Sequence, residues 1–301
     1  MKVLIAIPTY NEKENISRML NSVLNLNIND TIKTKTANNP NTLPSLSSYI
    51  NAYINVLIID DNSPDGTANI VKEYINSHKL LTANTDVNAS ANANLNLKTN
   101  GSGNKSANVI SNYGENFEER VFIIEREKKL GLGTAYVAAF NFALDNGCDY
   151  VITMDCDFSH NPEEIAGFIG LMQSEKCGMI VGSRYSGGVR VIDWSMKRLL
   201  ISYFANIYAK FITGVKITDL TGGFNMYDVN CLKKINLSGI SSRGYAFQIE
   251  MKYRMVKEGK CSFKEYPIIF YERTYGKSKM SKGIIFEAFF KVIKLRFGFF
   301  K

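Results

Sequence analysis

The chain has 301 residues, 45% hydrophobic content and a formal charge of +8, enough to bury a substantial core in one or two domains. Five cysteines, at 148, 156, 177, 231 and 261, form no C-x-x-C pair, and the opening residues read as a strand rather than a charged leader; this reading excludes a secretory signal and expects a reducing, cytosolic setting. From residue 241 onward there are fourteen Lys or Arg against five Asp or Glu, a concentration that suits an anionic partner such as phosphates, nucleic acid or an acidic membrane surface.

The first apolar run, 3–7, closes on Pro8 and reads as a buried parallel strand, with a helix over 12–24 behind it. A strand over 55–59 ends on Asp60-Asp61 and leads into a helix over 66–76. Strands over 121–124, 150–154 and 179–181 follow, with helices over 133–146 and 162–174 between them. This alternation predicts an α/β fold, a mostly parallel sheet flanked by helices. Two stretches interrupt it, 25–53 and 77–117, both rich in Asn, Ser, Thr and Ala; in the second an Asn recurs at every fourth position from Asn84 to Asn116. Asn is a poor helix former and no apolar stripe accompanies it, so both read as low-complexity, disordered insertions. Each falls between a helix and the next strand and is expected at the amino edge of the sheet, where its deletion spares activity. A catalytic domain over 1–283 is thus interrupted twice and followed by an amphipathic segment, 284–301.

The fourth strand stops on Asp155-Cys156-Asp157-Phe158-Ser159-His160-Asn161-Pro162. Two carboxylates one residue apart offer hard oxygen ligands at a carboxyl edge, where open α/β sheets bind ligands; the pair suggests Mg²⁺ or Mn²⁺ holding a polyphosphate. Only two histidines exist, His78 and His160, which leaves little for a His-based metal site or a Ser-His-Asp triad. Cys156 reads as a filler. The first strand runs into Pro8-Thr9-Tyr10-Asn11-Glu12 and the second into Ile59-Asp60-Asp61, followed by a turn from Asn62 to Thr67. An aromatic and carboxylates at these ends can stack on a base and reach a base edge or a ribose, while Asp65 reads as turn and helix-cap chemistry.

Gly131-Leu132-Gly133-Thr134 opens a helix without the third glycine of a dinucleotide fingerprint, Tyr136 standing in that place. Its glycines either face an anion with backbone N–H groups or allow a tight turn with close helix packing. Arg184, Lys197, Arg198, Arg273, Lys277 and Lys279 then supply forked and point charges suited to phosphates.

In order and spacing, Pro8-Thr-Tyr10-Asn-Glu12, the run from Ile59 to Thr67, Lys129-Leu-Gly-Leu-Gly-Thr-Ala135, Asp155-Cys-Asp157-Phe-Ser159-His-Asn-Pro, Gly182-Ser-Arg184-Tyr, Asp219-Leu-Thr-Gly-Gly-Phe, Gly244-Tyr-Ala-Phe-Gln-Ile-Glu and Arg273-Thr-Tyr-Gly-Lys-Ser-Lys279 resemble the dolichyl-phosphate mannosyltransferases. These are inverting family 2 glycosyltransferases with a GT-A fold, and the resemblance covers nearly everything outside the two insertions. It implies transfer of mannose from GDP-mannose to dolichyl phosphate, giving the β-linked lipid-phosphate sugar that feeds N-glycan, GPI-anchor and O-/C-mannosylation pathways. It implies that Pro8, Tyr10, Glu12, Ile59 and Asp61 hold guanosine and that Asp155, Cys156 and Asp157 hold diphosphate and metal. Ser159 takes a further metal-associated position where some relatives have Gln. Arg184 and Arg198 would engage the acceptor phosphate, Arg184 also lying near the donor, and Arg273 and Lys279 would reach the donor diphosphate. The catalytic weight then falls on Asp157, Arg184 and Arg198. A UDP-glucose enzyme with the same acceptor and a non-catalytic nucleotide-binding module are the alternatives; the basic tail carries no RNA or DNA motif, so no nucleic acid partner is expected.

No run approaches about 18 uncharged apolar residues, so no transmembrane span is expected. Residues 284–301 set a narrow polar stripe beside a broad apolar face, suited to a membrane interface or to a membrane subunit, the alternative being a core-packing terminal helix. Residues 195–212, bearing Arg198, form a second amphipathic candidate. The expected protein is peripheral, on the cytosolic face of the endoplasmic reticulum, held by the membrane surface or by small membrane-anchoring subunits.

Overall fold

A computed structural model describes residues 1–38, 50–83, 107–110, 120–242, 244, 246–272 and 282–297. One eight-stranded sheet runs through it, in the order β3-β4-β2-β1-β5-β7-β6-β8. The strands are β1 (Lys2–Thr9), β2 (Tyr53–Asp60), β3 (Ala107–Ile110), β4 (Val121–Arg126), β5 (Tyr150–Thr153), β6 (Met179–Ser183), β7 (Asn225–Asp228) and β8 (Phe263–Pro267). β1 lies parallel to β2 and β5, β2 to β4 and β6 to β8, while β7 is inserted antiparallel between β5 and β6. The five strands expected from their apolar runs are all present.

The helices are α1 (Ile16–Leu24), α2 (Ile28–Asn38), α3 (Thr67–Ala83), α4 (Leu132–Asp145), α5 (Glu164–Glu175), α6 (Met196–Thr213), α7 (Val229–Leu232), α8 (Ala246–Lys257) and α9 (Lys282–Phe297). Successive side chains of a strand leave opposite faces, and β1 shows what that does. Val3, Ile5 and Ile7 enter one core with α1 and α5, whereas Leu4 and Ala6 enter a second core with α4 and α8. α1 presents Ile16, Met19, Leu20 and Val23 to the first core, the one-face spacing of an amphipathic helix. Each such buried aliphatic side chain contributes about 1.5–3 kcal/mol.

The first insertion departs from its sequence reading, whereas most of the second, residues 84–106 and 111–117, lies outside the described residues. Residues 28–38 form α2, which buries Ile28 and Ile32 against the first core, and Asn29 exchanges two hydrogen bonds with the backbone of Ile50. Two isoleucines one helical turn apart were enough, hidden in a polar composition. Lys35 meets Glu164 at 2.8 Å, in the first turn of α5, so this helix climbs from the amino edge toward the carboxyl edge. In the second insertion, β3 pairs antiparallel with β4, placing Ala107 opposite Arg126. β3 therefore begins at the carboxyl edge and runs back toward the amino edge.

The terminal helix also needs restating. α9 packs against α6 and α8, burying Val292, stacking Phe289 on Tyr208 at 4.5 Å and bringing Lys291 to Glu250 at 3.3 Å. It is a docked helix that leaves Phe290 and Phe297 62% and 63% exposed. Among the described residues no helix is long and apolar enough to cross a membrane.

Candidate active site

Chain order brings three strand ends together. β2 and β5 flank β1 on opposite sides, so the sheet changes direction of growth at β1, the point where open α/β sheets form their crevice. Asp61, just past β2, and the acidic loop past β5 are two strand spacings apart, roughly 10 Å.

At the β2 end, Asp61 is buried and ion-paired with buried Arg126 of β4. Burial pushes the Asp61 carboxyl up, and Arg126 beside it pulls it back. Arg126 is itself fixed by Thr134 at 2.7 Å and the Gly131 carbonyl at 3.2 Å, while the Gly131 N–H donates to Asp61 at 3.2 Å. Both glycines thereby take the packing role: Gly131, at φ 99°, turns the chain into α4, and a Cβ on Gly133 would stand 2.1 Å from the Ser242 carbonyl. The anion that the Gly131 N–H faces is the chain's own Asp61 carboxylate. Tyr10 follows β1 with the Lys129 ammonium 3.7 Å above its ring, so a stacked base shares the ring with that charge or displaces it.

Pro8 is half-buried, and Ile59 is wholly within the second core, so Ile59 can offer a ligand only its backbone. Glu12 accepts from the Asn15 amide at 2.9 Å and its N–H donates to Thr67 at 3.0 Å. Asp60 ties strand ends together through Thr9 and Ser63, and Asp65 caps α3 through Thr67 while accepting from the Lys13 N–H. Asp65 thus has the structural role its turn implied.

Past β5, Asp155 is half-buried and Asp157 buried. Ser159 donates both its hydroxyl, at 2.6 Å, and its N–H, at 3.1 Å, to one oxygen of Asp157; it orients that carboxylate. The Asp155 N–H donates to His160 Nδ1 at 3.2 Å. His160 is stacked on Phe224 and edged by Phe270, and burial holds its pKa down at about 4, so it stays neutral and accepts. Cys156 is buried in the first core, its thiol pKa raised by that burial: a filler whose backbone faces the site. Tyr136, where a dinucleotide fingerprint has glycine, is fully buried beside both aspartates; burial and their charge raise its pKa well above the ordinary range.

This donor set fits a hard divalent cation. It consists of two carboxylates, and the imidazole of the same loop is spent on Asp155. Among the described residues no group of three or more His, Cys, Asp or Glu that could hold a metal ion is present.

The cations are less available than their sequence suggests. Arg184 is buried and forked onto Asp219, with Nε and Nη2 each at 2.7 Å, and Nη2 also reaches Thr221 at 2.7 Å. Burial alone would raise the Asp219 pKa, but Arg184 outweighs it and holds the carboxyl at about 2. Only Nη1 of Arg184 lacks an intramolecular partner among the described residues. Arg198, half-buried at the start of α6, lies 4.2 Å over Trp194 and pairs with Glu272. Arg273 and Lys279 lie outside the described residues.

Sequence reasoning missed several participants: Arg126 as the partner of Asp61, Trp194 between the two arginines, Glu272, and Asn206. Asn206 of α6 accepts from the Leu220 and Thr221 N–H groups at 2.7 and 3.1 Å, tying α6 to the loop that holds Arg184.

Residues 4–97 and 99–235 match the family described as Glycosyl transferase family 2. The chain belongs to this family. Among similar proteins, polyprenol monophosphomannose synthase of Mycolicibacterium smegmatis is 33% identical over 291 residues, 97% of this chain and 85% of that protein. Undecaprenyl-phosphate mannosyltransferase of Micrococcus luteus is 30% identical over 294 residues, 98% and 93% of the two chains. Among solved structures, glucosyl-3-phosphoglycerate synthase from Mycobacterium tuberculosis, in complex with Mn²⁺, UDP and glucosyl-3-phosphoglycerate, aligns with TM-score 0.54 at 12% identity, covering 100% of this chain and 81% of that one. The last likeness is one of fold, and it agrees with the GT-A fold that the family resemblance implies.

Proposed function

We propose that this glycosyltransferase moves mannose from GDP-mannose to the phosphate of a membrane-bound polyisoprenyl phosphate, with dolichyl phosphate the acceptor carried by the motif resemblance. One observation supports the lipid acceptor above all: α6 is amphipathic the wrong way round for a core helix. Its buried residues are Asn206, Ala209 and Thr213, while Met196, Leu200, Phe204, Ile207 and Phe211, at 68%, 46%, 61%, 48% and 82% exposure, line its outer face. A stripe of that size is covered by something apolar in the working protein. With Lys197, Lys210, Lys294 and Arg296 exposed around it, an anionic bilayer surface meets both requirements. The head of the stripe carries Arg198, so a lipid lying along α6 has its phosphate at the arginines.

The two named relatives support mannose and a prenyl phosphate as the chemical class. The chemistry agrees with what the site lacks. A phosphate monoester is already an anion near neutral pH and needs no base to attack, so neither Asp155 nor Asp157 has to take a proton. Asp155 and Asp157 are the residues that would hold Mg²⁺ or Mn²⁺, which when bound offsets charge growing on the departing diphosphate. Ser159 keeps the Asp157 carboxylate oriented and His160 holds the Asp155 backbone, Asp61 and Tyr10 keep the base end, and the arginines keep the acceptor in line behind the sugar, which inverts its anomeric centre. We place the enzyme peripherally on the membrane, at the cytosolic face of the endoplasmic reticulum for a dolichyl acceptor.

The test is one assay of purified protein with Mn²⁺, offering GDP-mannose or UDP-glucose against dolichyl or undecaprenyl phosphate. Mannolipid from GDP-mannose supports the reading, and the faster lipid names the acceptor. Glucolipid alone, or GDP binding with no glycolipid, overturns it.

A further inference from the structure

Two guanidinium groups share one indole. Arg198 lies 4.2 Å and Arg184 5.4 Å from the Trp194 ring. Arg184 is neutralised by buried Asp219. Arg198 is answered by Glu272, and that pair is partly open to water, with side chains 23% and 35% exposed.

Glu272 is not a wandering surface acid. It ends a strap in which the Phe270 N–H donates to the Arg190 carbonyl at 3.0 Å, Tyr271 to Ser159 at 3.2 Å and Glu272 to Ile192 at 3.2 Å. The strap thus pins the carboxylate between the acidic loop and the segment carrying Trp194. Among the described residues the buried Trp194 Nε1 and Arg190 Nε have no hydrogen-bond partner.

We infer that Glu272 stands at Arg198 in the place the acceptor's phosphate takes, and thereby sets the charge an acceptor must carry. This rests on the proposed acceptor class. Exchange at a half-exposed guanidinium is a contest between anions, and the resident carboxylate is tethered, so its effective concentration is high. A carboxylate or other single charge gains nothing by replacing it. A phosphomonoester brings a second charge and three acceptor oxygens, enough to displace the carboxylate and to engage donors that it leaves unanswered. Glu272 therefore selects phosphomonoesters over other anionic lipids while the apolar face of α6 accepts any tail.

Trp194 is the chain's single tryptophan and reports on the exchange directly. Its emission, excited at the red edge where tyrosine does not absorb, is followed in detergent micelles as farnesyl phosphate or farnesoic acid is added to wild type, Glu272→Gln and the exposed control Glu14→Gln. Wild type and the control respond to farnesyl phosphate and not to farnesoic acid at equal concentration. In E272Q the half-saturation for farnesyl phosphate falls about two- to fivefold, the worth of a part-exposed ion pair, and farnesoic acid begins to elicit the response. In mannose transfer the KM for farnesyl phosphate falls by the same factor with the donor KM unchanged. The inference is overturned if wild type shows no response to farnesyl phosphate, or if E272Q binds it no better or less well, which makes Glu272 a brace for Arg198. Binding that follows the expected pattern in a protein that makes no mannolipid sinks the proposed function instead.

Discussion

Lys252, fully buried on α8, donates from its side-chain nitrogen to the carbonyl oxygens of Gly222 and Leu220 at 2.6 and 3.2 Å, gripping the loop whose Asp219 holds Arg184. Burial lowers its pKa from 10.5 to about 7, with Asp219 and Glu265 opposing the shift and Arg184 adding to it. Because the folded value is depressed, the unfolded chain binds more protons between about pH 7 and 10.5, and stability rises with pH across that window. Urea midpoints measured from pH 7 to 9.5 should show wild type gaining up to about 1 kcal/mol per pH unit relative to Lys252→Met. Equal slopes would mean the lysine keeps its ordinary pKa.

Asp61 and Arg126 form a buried pair, and removing one partner strands the other's charge. Asp61→Ala is expected to cost about 3–5 kcal/mol of unfolding free energy, and the double variant D61A/R126L to cost less than the single one. Chemical denaturation of the three proteins checks this, and a double variant worse than D61A would contradict it.

Ser159 gives its hydroxyl to buried Asp157. Ser159→Ala should raise the Mn²⁺ concentration for half-maximal transfer about tenfold, the worth of a hydrogen bond to a charged group, whereas Asp157→Ala should abolish turnover at any Mn²⁺ concentration. A Mn²⁺ titration separates orientation of a ligand from loss of one.

On the proposed membrane face, Phe204→Asp with Phe211→Asp should weaken flotation with anionic liposomes at least tenfold, since each Phe buried in lipid is worth about 1.5–3 kcal/mol. Transfer to a short, soluble prenyl phosphate should persist. Unaltered flotation would move the membrane contact elsewhere, with α9 the next surface to test.

Much of the sheet was legible because parallel strands buried on both faces are written as apolar runs, and the acids at their ends stand out against them. β7, Asn225-Met-Tyr-Asp, and β8, Phe263-Lys-Glu-Tyr-Pro, are short and mixed because each is paired where one face or end is polar. α2 was hidden by composition, which averages away two isoleucines. The orientation of α6 was not legible at all, since an apolar stripe is normally the buried one and only the position of Asn206 reveals the reversal. Lys252 reads in sequence as a solvated helix lysine. Burial, not residue type, gives it its role.

Asn206 joins the wet and the oily sides of α6. Its amide reaches the backbone of Leu220 and Thr221 and the Thr221 hydroxyl, one residue away from the outward Ile207. A lever so short has no slack: if α6 rests on the bilayer, its roll and depth are transmitted through Asn206, and through the Ser202 hydroxyl that accepts from Tyr185, to the loop around Arg184. Lipid thickness and lateral pressure then become kinetic variables of the transfer itself, beyond deciding whether the protein is bound.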